Sequence, residues 1–450
     1  MYKRQLHGTV DAEGAVGEYI YDGAGRQVRQ IAYATRSTAA ISAVTAFESI
    51  RPVSTEADVN EHNIYNNLGR LMGTIDAEGY LTERIYDASG NLTTRIRYAT
   101  SLSGTNNAVR TALAFIPDLA KMRPAASPQD QVWTYTYTRL NQVSSERNAE
   151  GTQTLYVYDE MGRLTSTVKA AGMAASRGVL SRYDVQGRLT GELSGEGAAK
   201  LDGQQTQAEI DTIWKTCGTS YTYDAAGRRI SMMDGAGQRT LYYFDANGRV
   251  THTIDALGHV QEDVYDNSGQ LVETIRYGTP VSLRGLSGGQ VNDTLRLAIV
   301  AMRNAEVDIH ATYVYTRDRR LAKEMDGAGG SIEHGYDAFG NEIQRLTRIA
   351  GAINRTDRMA YDRLGRLTQS TDDALGYARK STHEYDAFGR VITARDGAGE
   401  SVNHQYDSLG REVLTYDNVG ARSTAYDAFG NVLSRIDELG RRTRYAYRCV

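Results

Sequence analysis

The sequence predicts an all-β protein with minor α content, in which tandem antiparallel β-hairpins form a long curled strip. Two observations carry this prediction: a Tyr-Asp-x-x-Gly motif recurs along the 450 residues, and strand-like segments of roughly six or seven residues separate the turns. The composition agrees, since 45 glycines and 30 tyrosines accompany only 5 prolines. Many glycines without prolines indicate tight turns with positive φ, and many tyrosines are typical of half-buried strands.

The Tyr-Asp-x-x-Gly motif, usually followed by Arg or Asn, is the repeat signal. Pairs of copies 21 residues apart include Tyr65 with Tyr86 and Tyr385 with Tyr406. Such regular spacing predicts one structural unit repeated in tandem. The copies begin at Tyr21, Tyr65, Tyr86, Tyr158, Tyr183, Tyr223, Phe244, Tyr265, Tyr336, Tyr361, Tyr385, Tyr406 and Tyr426, with a short form at Tyr416 and degenerate forms at Tyr137 and Tyr315.

A second turn signal, Asp-x-x-Gly, lies between these copies. An Asp at the first position accepts backbone N–H groups from the residues that follow it, and a Gly three residues later suits the left-handed site of a type I turn with a bulge. One unit therefore holds two turns and two strands, which is a β-hairpin. These second turns begin at Asp11, Asp76, Asn148, Asp234, Asp255, Asp326, Asp373, Asp396, Asp417 and Asp437.

The residues of the YD turns are expected to be structural rather than a functional site. The Arg after the turn glycine is expected to be a solvated or salt-bridged strand residue. The residues chosen to represent the turns are Tyr86, Asp87, Gly90, Tyr158, Asp159, Gly162, Tyr385, Asp386, Gly389, Tyr406, Asp407 and Gly410.

Residues 1–450 are predicted to form one YD-repeat array, because no linker or composition break divides the chain. The block that begins at Leu6 recurs at Leu71 and Val250, and each copy is followed by a non-repeat insertion. Helical or irregular insertions are predicted at about 36–62, 101–131, 170–220 and 280–310, where segments such as QAEIDTIW and VNDTLRLAIVAM read as short amphipathic helices. Both ends fall inside a unit, so we expect a segment cut mid-repeat from a longer chain.

The predicted number of strands constrains the architecture. Two strands in each of about 15 units give roughly 30 strands, whereas open twisted sheets rarely exceed about 10 strands without curling or closing. The strip should therefore coil and leave a concave and a convex face with little packed core between them. A solenoid with a filled core is the competing geometry.

Composition and motifs exclude several function classes. Lys and Arg total 51 and Asp and Glu total 55, which argues against a nucleic-acid partner. The sequence contains no apolar run of about 18 residues, so no membrane-spanning helix is predicted. The only cysteines, Cys217 and Cys449, cannot build a disulfide framework, and the eight histidines form no metal-binding motif. We expect no catalytic residue, no metal and no cofactor, and hence not an enzyme.

The alternating Tyr-Asp-x-x-Gly-Arg and Asp-x-x-Gly turns resemble the YD/RHS repeat family over nearly the whole chain. The family includes bacterial Rhs polymorphic toxins, the B and C components of insecticidal toxin complexes, and teneurin ectodomains. The resemblance implies a β-hairpin strip that spirals into a hollow shell, which in the bacterial members encloses a C-terminal toxin. YD repeats have also been linked to carbohydrate binding.

Two function hypotheses follow. The favoured one is a structural segment of an encapsulating shell from a bacterial polymorphic toxin, whose partners are the remaining repeats and the C-terminal cargo of the same parent protein. The alternative is a cell-surface adhesion or carbohydrate-binding repeat, with glycans stacked on exposed tyrosine rings. Either role implies a secreted or cell-surface parent, and open strand edges predict self-association. An enzyme hidden in an insertion is least favoured.

The turn assignment predicts that Gly389→Val or Gly410→Val destabilises its hairpin by about 1–2 kcal/mol, because a β-branched residue resists the left-handed region. A substitution at the neighbouring Ala387 is expected to do much less. Thermal unfolding of the variants tests this expectation.

Overall fold

The computed structural model describes residues 5–38, 46–102, 119–173, 176–201, 203–349 and 351–446. Within these ranges, 33 strands form one sheet, and five helices lie in the connections between strands. The predicted fold class is confirmed: the protein is all-β with minor α content and consists of tandem antiparallel hairpins with short helical insertions.

The first nineteen strands are β1 (Gly8–Val10), β2 (Val16–Tyr21), β3 (Gln27–Ala32), β4 (Val59–Tyr65), β5 (Leu71–Ile75), β6 (Leu81–Tyr86), β7 (Leu92–Arg97), β8 (Gln131–Tyr137), β9 (Val143–Arg147), β10 (Gln153–Tyr158), β11 (Leu164–Lys169), β12 (Arg177–Tyr183), β13 (Leu189–Leu193), β14 (Gly218–Tyr223), β15 (Arg229–Met233), β16 (Arg239–Phe244), β17 (Val250–Ile254), β18 (Val260–Tyr265) and β19 (Leu271–Arg276).

The remaining strands are β20 (Gly289–Gln290), β21 (Ile309–Tyr315), β22 (Leu321–Asp326), β23 (Ser331–Tyr336), β24 (Glu342–Ile349), β25 (Ala352–Tyr361), β26 (Leu367–Asp372), β27 (Arg379–Tyr385), β28 (Val391–Arg395), β29 (Ser401–Tyr406), β30 (Glu412–Tyr416), β31 (Ala421–Tyr426), β32 (Val432–Ile436) and β33 (Arg442–Arg444).

The helices lie in the predicted insertions: α1 (Phe47–Ile50), α2 (Leu119–Met122), α3 (Gly195–Ala199), α4 (Gln207–Cys217) and α5 (Asp293–Met302). Helix α4 begins where Thr206 accepts from the Glu209 amide and Glu209 bonds back to the Thr206 amide, which is a capping box. Helix α5 begins where the Asn292 side chain accepts from the Leu295 amide. Parts of the helical segments predicted at 39–50 and 106–122 lie outside the described residues.

The sheet is a continuous meander. Each strand pairs antiparallel with the next, except that β19 pairs with β21 and the short β20 adds in parallel to β16. Because the turns of a meander alternate between its two edges, the YD turns lie along one side of the strip, here called the YD rim. The short form at Tyr416 is the exception, since its turn joins β30 to β31 on the opposite side. The Asp-x-x-Gly turns and the insertions lie along the other side, called the DG rim.

The strip coils upon itself. Residues 8–326 are called the first winding and residues 331–444 the second winding. Hydrogen bonds join Arg363 of the second winding to Glu78 of the first, both at 3.0 Å, and Arg97 of the first to the Ala387 carbonyl at 2.9 Å. The Arg363–Glu78 pair joins the turn after β25 to the turn after β5. With β20 outside the succession, one full turn of the coil therefore spans 19 strands, and the segment called the first winding, with 21 strands, is slightly longer than one turn. At about 4.8 Å per strand the circumference of one full turn is roughly 90 Å and its diameter about 30 Å.

Hydrophobic burial is local. Among the described residues, the buried apolar clusters lie where insertion helices cover the sheet: α1 contributes Phe47 to one, α2 contributes Leu119 and Met122 to another, and α5 contributes Leu295 and Ile299 to the largest. No cluster joins opposite walls of the described winding. Hairpins outside these patches are held chiefly by hydrogen bonds and by contacts with neighbouring turns.

Ala387 is 3% exposed, because it lies in the contact between windings, so the expectation that it makes a neutral control is wrong. Gly187 gives a cleaner experiment: its φ is 81°, and a Cβ added there would meet nothing within 4 Å. Gly187→Val should therefore destabilise its hairpin by about 1–2 kcal/mol through backbone strain alone. Hydrogen exchange of the β12–β13 amides measures this cost. Gln186→Val, at the exposed neighbouring position, is the matched control, and equal effects of the two variants would refute the strain argument.

Candidate functional site

The YD rim is the most regular feature of the molecule and holds all the residues that the sequence singled out. In the turn that follows Tyr158, Oδ1 of Asp159 accepts the amides of Met161 at 3.0 Å and Arg163 at 2.9 Å. The Gly162 amide donates to the Asp159 carbonyl at 2.9 Å. The aspartate thus satisfies backbone donors that the tight turn leaves unpaired.

The glycine of each turn occupies the left-handed region. Its φ is 94° at Gly90, 81° at Gly162, 82° at Gly389 and 84° at Gly410. In the two degenerate copies, non-glycine residues adopt the same conformation, with φ of 58° at Asn141 and 67° at Arg319. A register shift accompanies the turns, as between Val157 and Tyr158, because one extra residue bulges on the following strand.

The tyrosine of each turn ties its hairpin to the preceding one. The Tyr183 hydroxyl donates to the Leu164 carbonyl at 2.8 Å, and Leu164 is the first residue after the preceding YD turn. The same bond recurs along the rim. Its donors are Tyr21, Tyr65, Tyr86, Tyr137, Tyr158, Tyr183, Tyr223, Tyr265, Tyr315, Tyr336, Tyr361, Tyr385, Tyr406 and Tyr426.

The arginine completes the connection. Nε of Arg163 donates to Asp159 of its own turn at 2.7 Å, and NH1 donates to the Asp184 carbonyl of the next turn at 2.9 Å. Its guanidinium lies 5.1 Å from the centroid of the Tyr183 ring, within the range of a cation–π contact. The arrangement of Asp, Arg and the next Tyr is called the clasp below. Its arginines are Arg26, Arg163, Arg188, Arg249, Arg366, Arg390 and Arg411. Arg70 and Arg320 make the same bond to the next turn, but their own turns begin with Asn66 and Thr316 in place of the aspartate.

The carboxylates of Asp87 and Asp159 are held in their ionised form. The side-chain hydrogen bond from Asn91 lowers the pKa of Asp87 below its ordinary value, and the backbone hydrogen bond from Arg163 does the same for the pKa of Asp159. Carboxylates committed in this way are poor candidates for acid–base chemistry, because their lone pairs and charge already serve the turn.

The sequence analysis missed a second recurring site, at the insertions. Glu83, which is 1% exposed, accepts from the Tyr98 hydroxyl at 2.7 Å and from Nε of Arg123, the residue after α2, at 2.8 Å. Two equivalent triads follow α1 and α5 and consist of Glu18, Tyr33 and Arg51, and of Glu262, Tyr277 and Arg303. The signal was present, since these glutamates and tyrosines occupy equivalent positions in the blocks that begin at Leu6, Leu71 and Val250.

The triads anchor the insertions electrostatically. Burial raises the pKa of Glu83, and the hydrogen bonds from Arg123 and Tyr98 overcome this effect, so that its pKa lies below the ordinary value. Burial and the hydrogen bond to Glu262 raise the pKa of Tyr277 to about 12. Each triad therefore consists of a carboxylate, a neutral phenol and a guanidinium, which is a docking arrangement for a helix rather than a reactive group.

The contact between windings is a third candidate site and is called the seam. Arg36 of the first winding donates to the carbonyls of Tyr336 at 3.1 Å and Asp337 at 2.9 Å, and Arg97 lies 5.9 Å from the Phe388 ring centroid. The seam includes a cleft of about 570 Å³ lined by Asp11, Phe339 and Leu364 among others. Arg36, Arg97 and Arg363 each bind a group of the other winding, which favours a structural role.

The described part of the chain contains neither a metal-binding cluster nor a membrane-spanning helix. No group of three or more His, Cys, Asp or Glu side chains there is placed to hold a metal ion. No helix in the same ranges is long and apolar enough to cross a membrane.

A family model described as the RHS Repeat matches residues 137–172, 223–260 and 379–422, which contain the clasp turns of Arg163, Arg249, Arg390 and Arg411. These three segments, about a quarter of the chain, match the RHS repeat. No curated protein sequence matches the chain.

Among solved structures, this chain is similar to the TcdB2-TccC3-Cdc42 crystal structure at 12% identity and a TM-score of 0.48, over 94% of this chain and 23% of that chain. The Photorhabdus luminescens Tc holotoxin pore carrying a TccC3 mutation gives 12% identity and a TM-score of 0.45, over 94% of this chain and 23% of that chain. The TcdB2-TccC3 crystal structure gives 11% identity and a TM-score of 0.42, over 95% of this chain and 28% of that chain. The chain thus spans about a quarter of the length of these structures.

The buried triads predict a non-additive response to mutation. Arg123→Leu leaves Glu83 buried with one partner fewer and should destabilise β6–β7 locally by about 2 kcal/mol. Glu83→Gln in the same chain should recover part of this loss, because a neutral amide no longer needs the guanidinium. Hydrogen exchange of the β6 and β7 amides measures both effects, and purely additive losses would contradict the triad.

The lowered pKa values of Asp87 and Asp159 predict acid sensitivity of the β6–β7 and β10–β11 hairpins. A carboxylate whose pKa is lower in the folded state stabilises the fold above its ordinary pKa, and this contribution is lost as the pH falls through the folded value. The hairpins should therefore hold down to about pH 4 and loosen below it.

Asp159→Asn is the matched variant for this test, since Asn66 and Asn148 already cap their turns through the same Oδ1 contacts. The β10–β11 hairpin of the variant should keep its amide protection below pH 4, where the same hairpin of the unmodified chain loses it. Identical pH profiles would exclude titration of the turn as the cause.

Proposed function

We propose that this chain is a non-enzymatic wall segment of an RHS shell that encloses a C-terminal toxin or other cargo of a bacterial polymorphic toxin. The seam is the observation that carries the proposal. It joins turns 19 strands apart along the strip and so turns a flat ribbon into a wall that surrounds a space.

The dimensions support an enclosed space. A winding about 30 Å across is far wider than the roughly 10 Å at which two sheets pack face to face. Opposite walls at that separation cannot fill the interior with their own side chains. The local placement of the hydrophobic clusters under the helices agrees with this, since burial in the described strands needs no central core.

The chemistry of the rims supports a passive role. Turn carboxylates are occupied by backbone amides, and the glutamates Glu18, Glu83 and Glu262 are held by the insertion triads. The partners of the segment would be the remaining repeats and the cargo of its parent protein, which would be secreted or displayed at a cell surface.

The alternative of a carbohydrate-binding or adhesion repeat gains no specific support from the YD tyrosines. Their hydroxyls donate to backbone carbonyls, and arginines cover many of the rings, as Arg366 covers Tyr385 at 4.8 Å. A ring used in this way has one face covered and its hydroxyl already engaged, which disfavours a sugar as its partner.

Protease protection in the parent protein tests the proposal. The segment that follows the repeats should resist proteolysis while the wall is intact. Arg363→Glu removes the pair with Glu78 across the seam and should expose the segment to faster cleavage. The exchange Glu78→Arg with Arg363→Glu should restore protection.

Arg139→Glu is the matched control, because Arg139 and Leu140 form the same Arg-Leu turn as Arg363 and Leu364 but face solvent. Cleavage of the following segment at equal rates in the unmodified protein, the control and Arg363→Glu would rule out enclosure by this wall.

A further inference from the structure

The two rims of the strip recognise each other where they meet in the seam. YD turns of the second winding lie on the DG rim of the first, and their apolar tip residues Phe339, Leu364, Phe388, Leu409 and Phe429 are half-buried there. The amide of Ser408 also donates to the Glu150 side chain across this contact. The seam is therefore a heterologous interface, in which one kind of edge binds a different kind of edge.

The same kinds of rim are also left without a partner. On the YD rim of the first winding, the tip residues Leu68, Leu140 and Met161 are 76%, 75% and 73% exposed. Leu140 makes the comparison direct, because its Arg-Leu turn has the same tip sequence as the turn in which Arg363 binds Glu78 and Leu364 is half-buried. The turn that contains Leu364 contacts the DG rim of the first winding, and the turn that contains Leu140 is exposed.

The DG rim of the second winding is the complementary free surface. Its tip residues Leu375, Val419 and Leu439 are 72%, 83% and 76% exposed, and Tyr377 beside Leu375 is 98% exposed. Exposed large apolar side chains that recur along one edge mark an interaction surface. This edge continues the rim that the seam covers in the first winding.

We propose that the free DG rim of one copy binds the free YD rim of a second copy of this chain, head to tail. The occupant is argued from continuity with the seam, in which the same two edge types are already joined within one molecule. Because the two rims are different surfaces, each association leaves one free rim at either end, and assembly is open-ended. The proposal does not depend on cargo enclosure.

Pairing of the terminal strands is the competing route to association. Strand β33 is short, and Arg442, Thr443 and Arg444 are all exposed. A cationic edge strand opposes pairing with another strand, which favours the rims. The two routes are separable, because the rim residues lie in turns and outside the strand edges.

Sedimentation velocity over a concentration series, with the purified chain, tests the proposal. The unmodified chain should form species larger than dimers as its concentration rises. A YD-rim variant (Leu68→Ser, Leu140→Ser, Met161→Ser) and a DG-rim variant (Leu375→Ser, Val419→Ser, Leu439→Ser) should each remain monomeric. An equimolar mixture of the two should form only one-to-one dimers, because each variant contributes one intact rim.

The control Leu297→Ser, Val300→Ser removes two comparably exposed side chains on α5, which lies in an insertion of the first winding and outside the free DG rim of the second winding and the YD rim, and should associate like the unmodified chain. A monomeric unmodified chain at high concentration would overturn the proposal. So would dimers of either rim variant alone, or association that survives in both rim variants and is lost on Arg444→Pro. Arg444 is opposite Ser434 in a pair that exchanges no backbone hydrogen bonds, so its N–H faces the open edge, and that result would assign assembly to the edge strand.

Discussion

The fold depends on the clasp, which joins each hairpin to the next through hydrogen bonds and a cation–π contact. A hairpin of two strands is marginally stable by itself in water. In this molecule Arg163 binds the aspartate of its own turn, donates to the backbone of the next turn and covers the Tyr183 ring, while the Tyr183 hydroxyl returns a bond to Leu164. Each hairpin therefore contributes groups to the stability of its neighbour, and a long strip can form without a central core.

Stability in such an array is distributed along the strip. Units contact their neighbours in sequence and, through the seam, one winding further on. The insertion triads add local anchors where helices cover the sheet, and these patches hold the buried apolar clusters. Local opening should therefore precede global unfolding, as in other repeat proteins. A wall of this kind tolerates variable insertions at the DG rim, because the clasp lies on the opposite rim.

Much of this architecture was predictable because turn chemistry is local. The spacing of Asp and Gly in the copies at Tyr158 and Tyr406 dictates the turn, and the turn dictates a hairpin. The number of hairpins dictates coiling. The clasp itself could not be predicted, because the motif specifies contacts within one unit, whereas Arg163 binds the backbone of the following unit.

Contacts between distant parts of the chain were harder to predict from the sequence. The burial of Ala387 and the pairing of Arg363 with Glu78 depend on how many strands complete a winding, and twist sets that number rather than any short motif. The triads were within reach, since Glu18, Glu83 and Glu262 recur in matched blocks. Their arginines lie 33, 40 and 41 residues further along the chain, in insertions of different length, so spacing did not identify the third partner.

A double-mutant cycle on Arg163 and Tyr183, read by hydrogen exchange of the β11–β12 amides, tests the clasp most directly. Arg163→Met and Tyr183→Phe remove its two sides, and the double variant gives the coupling between them. The clasp predicts a coupling free energy of about 0.5 kcal/mol or more, because the two side chains act on the same pair of hairpins. Additive effects of the two substitutions, with β11–β12 protection no lower than in the unmodified chain, would contradict it.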